Sequence, residues 1–124
     1  MKVLLVDDTR TLLSLIQVYL MGWNIEFVEA KDGVEGLAAA RLHQPALVIS
    51  DVRMPAMDGF ELCAAIRADQ ALHATPVILL TSLADEQSRK KGKLVGATAF
   101  LTKPVSVEEL RRTVENILHL PSKR

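Results

Sequence analysis

Short runs of branched aliphatic residues, each closed by a polar turn and followed by a helical pattern, constrain this chain more than any other feature. Val3-Leu4-Leu5-Val6, Leu47-Val48-Ile49 and Val77-Ile78-Leu79-Leu80 are unbroken apolar stretches. A strand with one wet face alternates polar and apolar residues, so an unbroken run is the pattern of a strand buried on both faces. Ile25 to Ala30 alternates only in part, which suits a strand nearer a sheet edge, and Ala97 to Thr102 supplies a fifth strand. Between the strands, apolar residues recur at helical spacing. Leu12, Leu13, Ile16, Tyr19 and Leu20 follow possible N-cap side chains in Asp7-Asp8-Thr9 and end at Gly22. Val34, Leu37, Ala38 and Leu42 follow the turn signal Asp32-Gly33 and end at Pro45. Phe60, Leu62, Cys63 and Ile66 form a third helix capped by Asp58. A fourth helix is expected from Asp85 and Glu86, whose charges suit the positive end of the helix dipole, through Arg89, Lys90, Lys91 and Lys93 to Gly96. Ser106 with Glu109 reads as a capping box for a last helix through Leu110, Val114, Ile117 and Leu118, stopped by Pro121.

Five strands alternating with five helices, without hairpin signals, predict an α/β protein with helices on both faces of a five-stranded parallel sheet. Right-handed crossovers leave a few doubly wound orders, and the flavodoxin-like order 2-1-3-4-5 is the expected one. It sets strand 1 beside strand 3 at the switch point, where such sheets bind ligands. The 124 residues suit one domain, 1–124, with a sizeable core. Fifteen basic and fifteen acidic residues cancel, so no net field points to nucleic acid or to a membrane. The first apolar run lies between Met1-Lys2 and Asp7-Asp8, too short for a signal peptide or a bilayer span. A single cysteine, Cys63, forms no internal disulfide and agrees with a cytoplasmic setting.

The chemistry collects where the strands end. Asp7-Asp8, Asp51, Thr81-Ser82 and Lys103 each close one of four strands. Any one of them could be a helix cap or a solvated turn residue. All of them on one rim is a site. Three carboxylates close together repel, each pair costing on the order of a few kcal/mol at an effective dielectric near 20. Such a cluster persists when a divalent cation neutralises it or when protons are taken up. All-oxygen ligation without His or Cys argues for a hard ion, Mg²⁺ before Zn²⁺. Cation, Lys103 and the Thr81 hydroxyl around one carboxylate make a site for phosphoryl transfer to Asp51, with the other groups neutralising the moving oxygens.

Asp7-Asp8, Asp51 with Met54-Pro55-Ala56-Met57-Asp58-Gly59, Thr81-Ser82, and Phe100-Leu101-Thr102-Lys103-Pro104 resemble, in order and spacing, the receiver domain of bacterial two-component response regulators. The likeness is greatest to the single-domain, chemotaxis-regulator kind. The resemblance implies a signalling protein, not an enzyme acting on a separate substrate. Asp51 would be the phosphoacceptor, charged from a phosphohistidine on a sensor histidine kinase or a histidine phosphotransfer protein. Asp8, Asp51 and the backbone carbonyl of Arg53 would hold Mg²⁺, with Asp7 acting through water. Lys103 would hold a phosphoryl oxygen, and its bond to Pro104 would be cis. Thr81 would move to the phosphoryl group and Phe100 would turn inward behind it. That would switch the face made by the fourth helix, fifth strand and last helix, where a downstream protein partner docks. The protein would be a monomer or a weak, phosphorylation-dependent dimer.

The departures from the family pattern are specific. Arg53, two residues beyond Asp51, has only donors and cannot accept a proton from an attacking water, and Leu83, two beyond Thr81, offers no acceptor. Both favour a long-lived phosphoryl group, with Arg53 pairing with phosphoryl oxygens or a neighbouring carboxylate. Gly96-Ala97-Thr98-Ala99 lacks the acidic pair common in DNA-binding relatives. Arg89, Lys90, Lys91 and Lys93 have no acid between Gln87 and Val107 to offset them, which makes either a solvated face or a dock for an acidic partner. A haloacid-dehalogenase-type phosphatase would need Asp where Arg53 stands. A flavodoxin's cofactor phosphate would be repelled by Asp7-Asp8, and Gly92-Lys93 is no P-loop. The remaining alternative is a phosphorylation-silent receiver acting only as a protein-interaction module.

Overall fold

The computed structural model describes residues 1–82 and 85–121. Its elements alternate as the sequence pattern requires: β1 (Lys2–Val6), α1 (Arg10–Tyr19), β2 (Glu26–Ala30), α2 (Gly33–His43), β3 (Leu47–Asp51), α3 (Gly59–Ala68), β4 (Val77–Thr81), α4 (Glu86–Leu94), β5 (Ala99–Thr102) and α5 (Val107–Leu118). The strands form one parallel sheet in the order β2-β1-β3-β4-β5, the expected flavodoxin-like arrangement.

Side chains alternate across a strand, so each unbroken apolar run feeds two cores at once. Val3, Leu5, Leu47, Ile49, Ile78 and Leu80 point to one face and pack with Leu13, Ile16 and Leu20 of the α1 segment and Leu110 and Val114 of α5. Leu4, Val6, Val48, Val77 and Leu79 point to the other and pack with Ala40 of α2 and Leu62, Cys63 and Ile66 of α3. The partly alternating second strand lies at the sheet edge, with only Ala30 buried.

Register decides what the carboxyl edge presents. Val6 pairs with Ser50, so the next step along both strands brings Asp7 and Asp51 level. Asp51 pairs with Leu80, and Thr81 pairs with Thr102, which sets Lys103 one residue beyond. Four separate segments therefore deliver their polar ends to one rim.

Helix ends follow side-chain chemistry more than the nearest glycine or proline. Asp32, Asp58, Asp85 and Ser106 each accept a backbone N–H three residues on, satisfying a donor that the first helical turn leaves open. The reciprocal capping box forms at Asp58 and Glu61. At Ser106 the hydroxyl accepts the Glu109 N–H at 3.0 Å. Thr9 caps α1 without a side-chain bond, and its own backbone N–H donates to Asp7 Oδ1 at 2.7 Å. β5 is shorter than the sequence suggests, since the Ala97 N–H is spent on Gly92 O at the end of α4.

Two residues that carry no periodic signal lock this frame. Trp23 is buried and donates from Nε1 to Pro121 O at 2.8 Å, while the Arg111 guanidinium lies 4.1 Å over its ring and donates to the Tyr19 and Met21 carbonyls. The end of α1 and the chain just after it are thereby tied to α5 through Arg111 and to Pro121 beyond that helix. At the other end of the sheet, a Cβ on Gly59 would stand 2.4 Å from Asp51 O and 2.9 Å from Val52 Cα, so only glycine lets α3 start this close to the end of β3.

Candidate functional site

Asp51 is the last residue of β3 and is buried. Lys103 Nζ lies 2.9 Å from its Oδ1 and 3.9 Å from Asp7 Oδ2. The lysine is placed by β5, because its backbone N–H donates to Thr81 O at 2.8 Å, and the Lys103–Pro104 bond is cis. One ammonium thus faces two carboxylates from the opposite edge of the sheet end.

Asp7 has 2% of its surface exposed. Burial pushes its carboxyl up to about 6, helped by the negative Asp51, while the Thr9 N–H and the Lys103 charge pull the other way. Its Oδ2 is buried and has no hydrogen-bond partner among the described residues. Asp8 is exposed and accepts the Thr9 hydroxyl at 3.4 Å. One oxygen each from Asp7, Asp8 and Asp51 falls within 4.8 Å of the others. An orphaned buried oxygen within an all-carboxylate cluster fits a hard divalent cation, and among the described residues no His or Cys joins that cluster.

Thr81 is buried at the end of β4, one residue beyond the Asp51 partner Leu80. Phe100 of β5 is half-buried, its ring 6.4 Å from that of Phe60 in a stacked arrangement and 5.6 Å from the Arg89 guanidinium. Gly92 makes room for it, since a Cβ there would meet Phe100 Cδ1 at 2.8 Å. Arg53 is exposed and makes no ion pair among the described residues, so the expected partnership with a neighbouring carboxylate does not form here. Leu83 lies outside the described residues.

The basic run on α4 is more differentiated than its composition suggests. Lys90 pairs with Glu86 at 3.8 Å on an exposed surface. Arg89 donates to Thr102 Oγ1 at 3.1 Å, and Lys91 stands 5.0 Å over the Phe60 ring. Sequence reasoning grouped these cations by charge. Residues two apart on a helix point to nearly opposite sides, which separates Arg89 from Lys91, and that signal was available. The contact between Lys91 and Phe60 depends on tertiary packing and had no signal in the sequence.

Comparison with known proteins follows this geometry closely. Residues 3–115 match the response regulator receiver domain family. The protein PilG of Pseudomonas aeruginosa is 34% identical over 98% of this chain and 89% of its own length. Among solved structures, the chemotaxis response regulator CheY4 of Vibrio cholerae superposes with a TM-score of 0.86 at 37% identity, over 94% of this chain and 97% of its own. The receiver domain of a Pseudomonas aeruginosa sensor histidine kinase, solved with a magnesium ion coordinated in its active-site cleft, has a TM-score of 0.86 at 25% identity, over 96% of this chain and 98% of its own. Larger transcriptional regulators also match, and of those this chain spans about half the length, 48%.

The Asp7 carboxyl sets a pH dependence whose sign is fixed. Its proton is held more tightly in the folded chain, at about 6, than at the ordinary 3.8, so its contribution to stability is full below about pH 4 and is lost as pH rises through 6. Asp7→Asn cannot ionise. In Mg²⁺-free buffer at pH 7.5 it is expected to melt on the order of 5 °C above the wild type, with the gap closing towards pH 4. Thermal melts of the two proteins across that range check this. A gap that does not change with pH would contradict it.

Proposed function

The chain belongs to the response regulator receiver domain family, and from that premise we propose that residues 1–124 act as a phosphoacceptor receiver in a two-component phosphorelay, with Asp51 as the residue phosphorylated. The observation that carries the reading is Lys103 Nζ 2.9 Å from Asp51 Oδ1, beside the Asp7 and Asp8 oxygens. The donor is a phosphohistidine on a sensor histidine kinase or a histidine phosphotransfer protein. An Asp51 oxygen forms the bond to phosphorus as the donor's P–N bond breaks, and the electron pair leaves with the imidazole nitrogen. Lys103 already faces Asp51 and needs little motion to hold a transferred oxygen.

Mg²⁺, when bound, supplies positive charge to the phosphoryl oxygens. Asp8, Asp51 and the backbone carbonyl of Arg53 would hold it, with Asp7 acting through water. The orphaned Asp7 Oδ2 and the magnesium ion in the cleft of the Pseudomonas receiver domain support that assignment.

Thr81 and Phe100 carry the response outward. A tenfold shift between two conformers needs only about 1.4 kcal/mol of differential binding. A hydrogen bond from the Thr81 hydroxyl to a charged phosphoryl oxygen is of that size. Movement of Thr81 opens the space behind which Phe100 turns inward, off Arg89 and Gly92. The face made by α4, β5 and α5 then changes for a downstream protein partner, with Arg89, Lys90 and Lys93 favouring an acidic one. The protein works in the cytoplasm as a monomer or weak phosphorylation-dependent dimer. It catalyses only its own phosphotransfer and autodephosphorylation.

Incubation with a small phosphodonor is expected to add one phosphoryl mass, dependent on Mg²⁺ and lost in Asp51→Asn. Intact mass spectrometry with and without chelator reads this. Equal labelling of Asp51→Asn would remove Asp51 from its role, and no labelling at all would favour a phosphorylation-silent interaction module.

The phosphoryl group is expected to be long-lived. Hydrolysis needs a water placed in line, opposite the Asp51 oxygen, and neither Arg53 nor Leu83 can accept its proton. Decay of the labelled wild type should be slower than that of an Arg53→Asn, Leu83→Glu double variant by roughly tenfold, the usual scale of a general-base contribution being at least that large. Equal or slower decay in the double variant would refute it.

A further inference from the structure

The outer face of α5 carries a charge pattern that the core does not use. Glu108, Arg112, Glu115 and His119 follow one another at spacings of four, three and four residues. At about 100° per residue, those spacings set all four within roughly 60° of arc, on one face of the helix. Leu110 and Val114, buried, take the side towards the sheet. Glu108, Arg112 and His119 are exposed and Glu115 is half-buried. On α4, Glu86 and Lys90 meet at 3.8 Å across one helical turn. Glu108 and Arg112 have the same spacing, yet neither they nor Glu115 make an ion pair among the described residues.

Beside this stripe, α1 and α5 enclose a groove of about 510 Å³, where Val18, Tyr19 and Val107 meet Glu108, Arg112 and Glu115. Val18 is 60% exposed and Val107 41%. An apolar centre edged by polar residues is the make-up of a protein interface. The charges at its edge are of both signs, so the face suits neither a strongly acidic nor a strongly basic partner, unlike α4.

We propose that this face takes a second copy of the same chain, with α5 antiparallel to its counterpart about a two-fold axis midway between Arg112 and Glu115. A two-fold contact sets residue i against j and j against i. In this register Arg112 of each copy faces Glu115 of the other. Glu108 faces His119, whose ring has an N–H to donate whether or not it is charged. Every opposed pair is complementary, and the stripe matches itself read backwards. It is only about 16 Å long at the helical rise per residue, so the dimer is weak. The groove lies on the α1 side of α5, which leaves the surface of α4 and β5 open. The inference gives a face to the weak dimer of the phosphoacceptor reading and rests on that reading for nothing else.

The test is sedimentation equilibrium of wild type, Arg112→Glu, Glu115→Arg and an equal mixture of the two variants, each before and after treatment with phosphodonor. Concentrations from about 10 µM to 1 mM cover the range of a small interface. In either variant alone, like charges face each other twice across the axis. Two exposed pairs lost and two repulsions gained should weaken its self-association about tenfold relative to wild type. The mixture is expected to recover the wild-type value, because the acid gained at position 112 then faces the base gained at position 115. Wild-type association should weaken as salt is raised from about 0.01 to 0.15 M. A mixture no more associated than its two components overturns the proposal, since a fault in folding would not be repaired by mixing. A wild type monomeric in both states overturns it too, and leaves the groove to a different protein. Intact mass of the same samples reads Asp51 labelling, so failure of the acceptor assignment is seen separately.

Discussion

The repulsion among Asp7, Asp8 and Asp51 is the constraint on which the rest of this structure depends. Carboxylate oxygens within 4.8 Å of one another, two of the three residues buried, cannot all be ionised without compensation. The chain supplies one compensating charge, Lys103, 2.9 Å from Asp51 and 3.9 Å from Asp7. One ammonium against three carboxylates leaves a deficit of positive charge, and the Asp7 carboxyl, pushed up to about 6 by its burial and further by the negative Asp51, gives up its proton less readily than a free one. The same deficit is one that a hard divalent cation, as proposed above, would offset. Stability is given up locally at the place where chemistry is needed.

The sheet can carry this burden because its core asks nothing of the rim. β1, β3 and β4 bury nearly every side chain on both faces, so register is fixed by packing and the polar residues beyond the strand ends are simply carried to one edge. Phe100 sits between Gly92, Phe60 and Arg89, so any displacement of its ring is felt along α4, the most positively charged helix of the chain.

Much of this was legible before the structure, and the reasons are local. Unbroken Val/Leu/Ile runs specify buried parallel strands; Asp51 and Thr81 stand just past two of them and Lys103 just past the Ala99–Thr102 strand, so strand order brings them together. Asp58 and Ser106 announced their helices by cap chemistry. What escaped was non-local. Trp23 has no periodic context, yet it joins Arg111 and Pro121 from distant parts of the chain. Arg53, expected against phosphoryl oxygens or a neighbouring carboxylate, makes no ion pair among the described residues. The seat of Lys91 over Phe60 needed the packing of α4 to be seen, since nothing in the sequence pairs the two residues.

The central claim is that this rim makes an acyl phosphate on one particular carboxylate. Reduction of the phosphorylated protein with borohydride converts an aspartyl phosphate to homoserine, and peptide mass mapping then locates it. The account predicts homoserine at position 51, dependent on Mg²⁺ during phosphorylation, with Asp7 and Asp8 unmodified. Homoserine at position 7 or 8, or a phosphate retained on Thr81 or Ser82 after reduction, would contradict it.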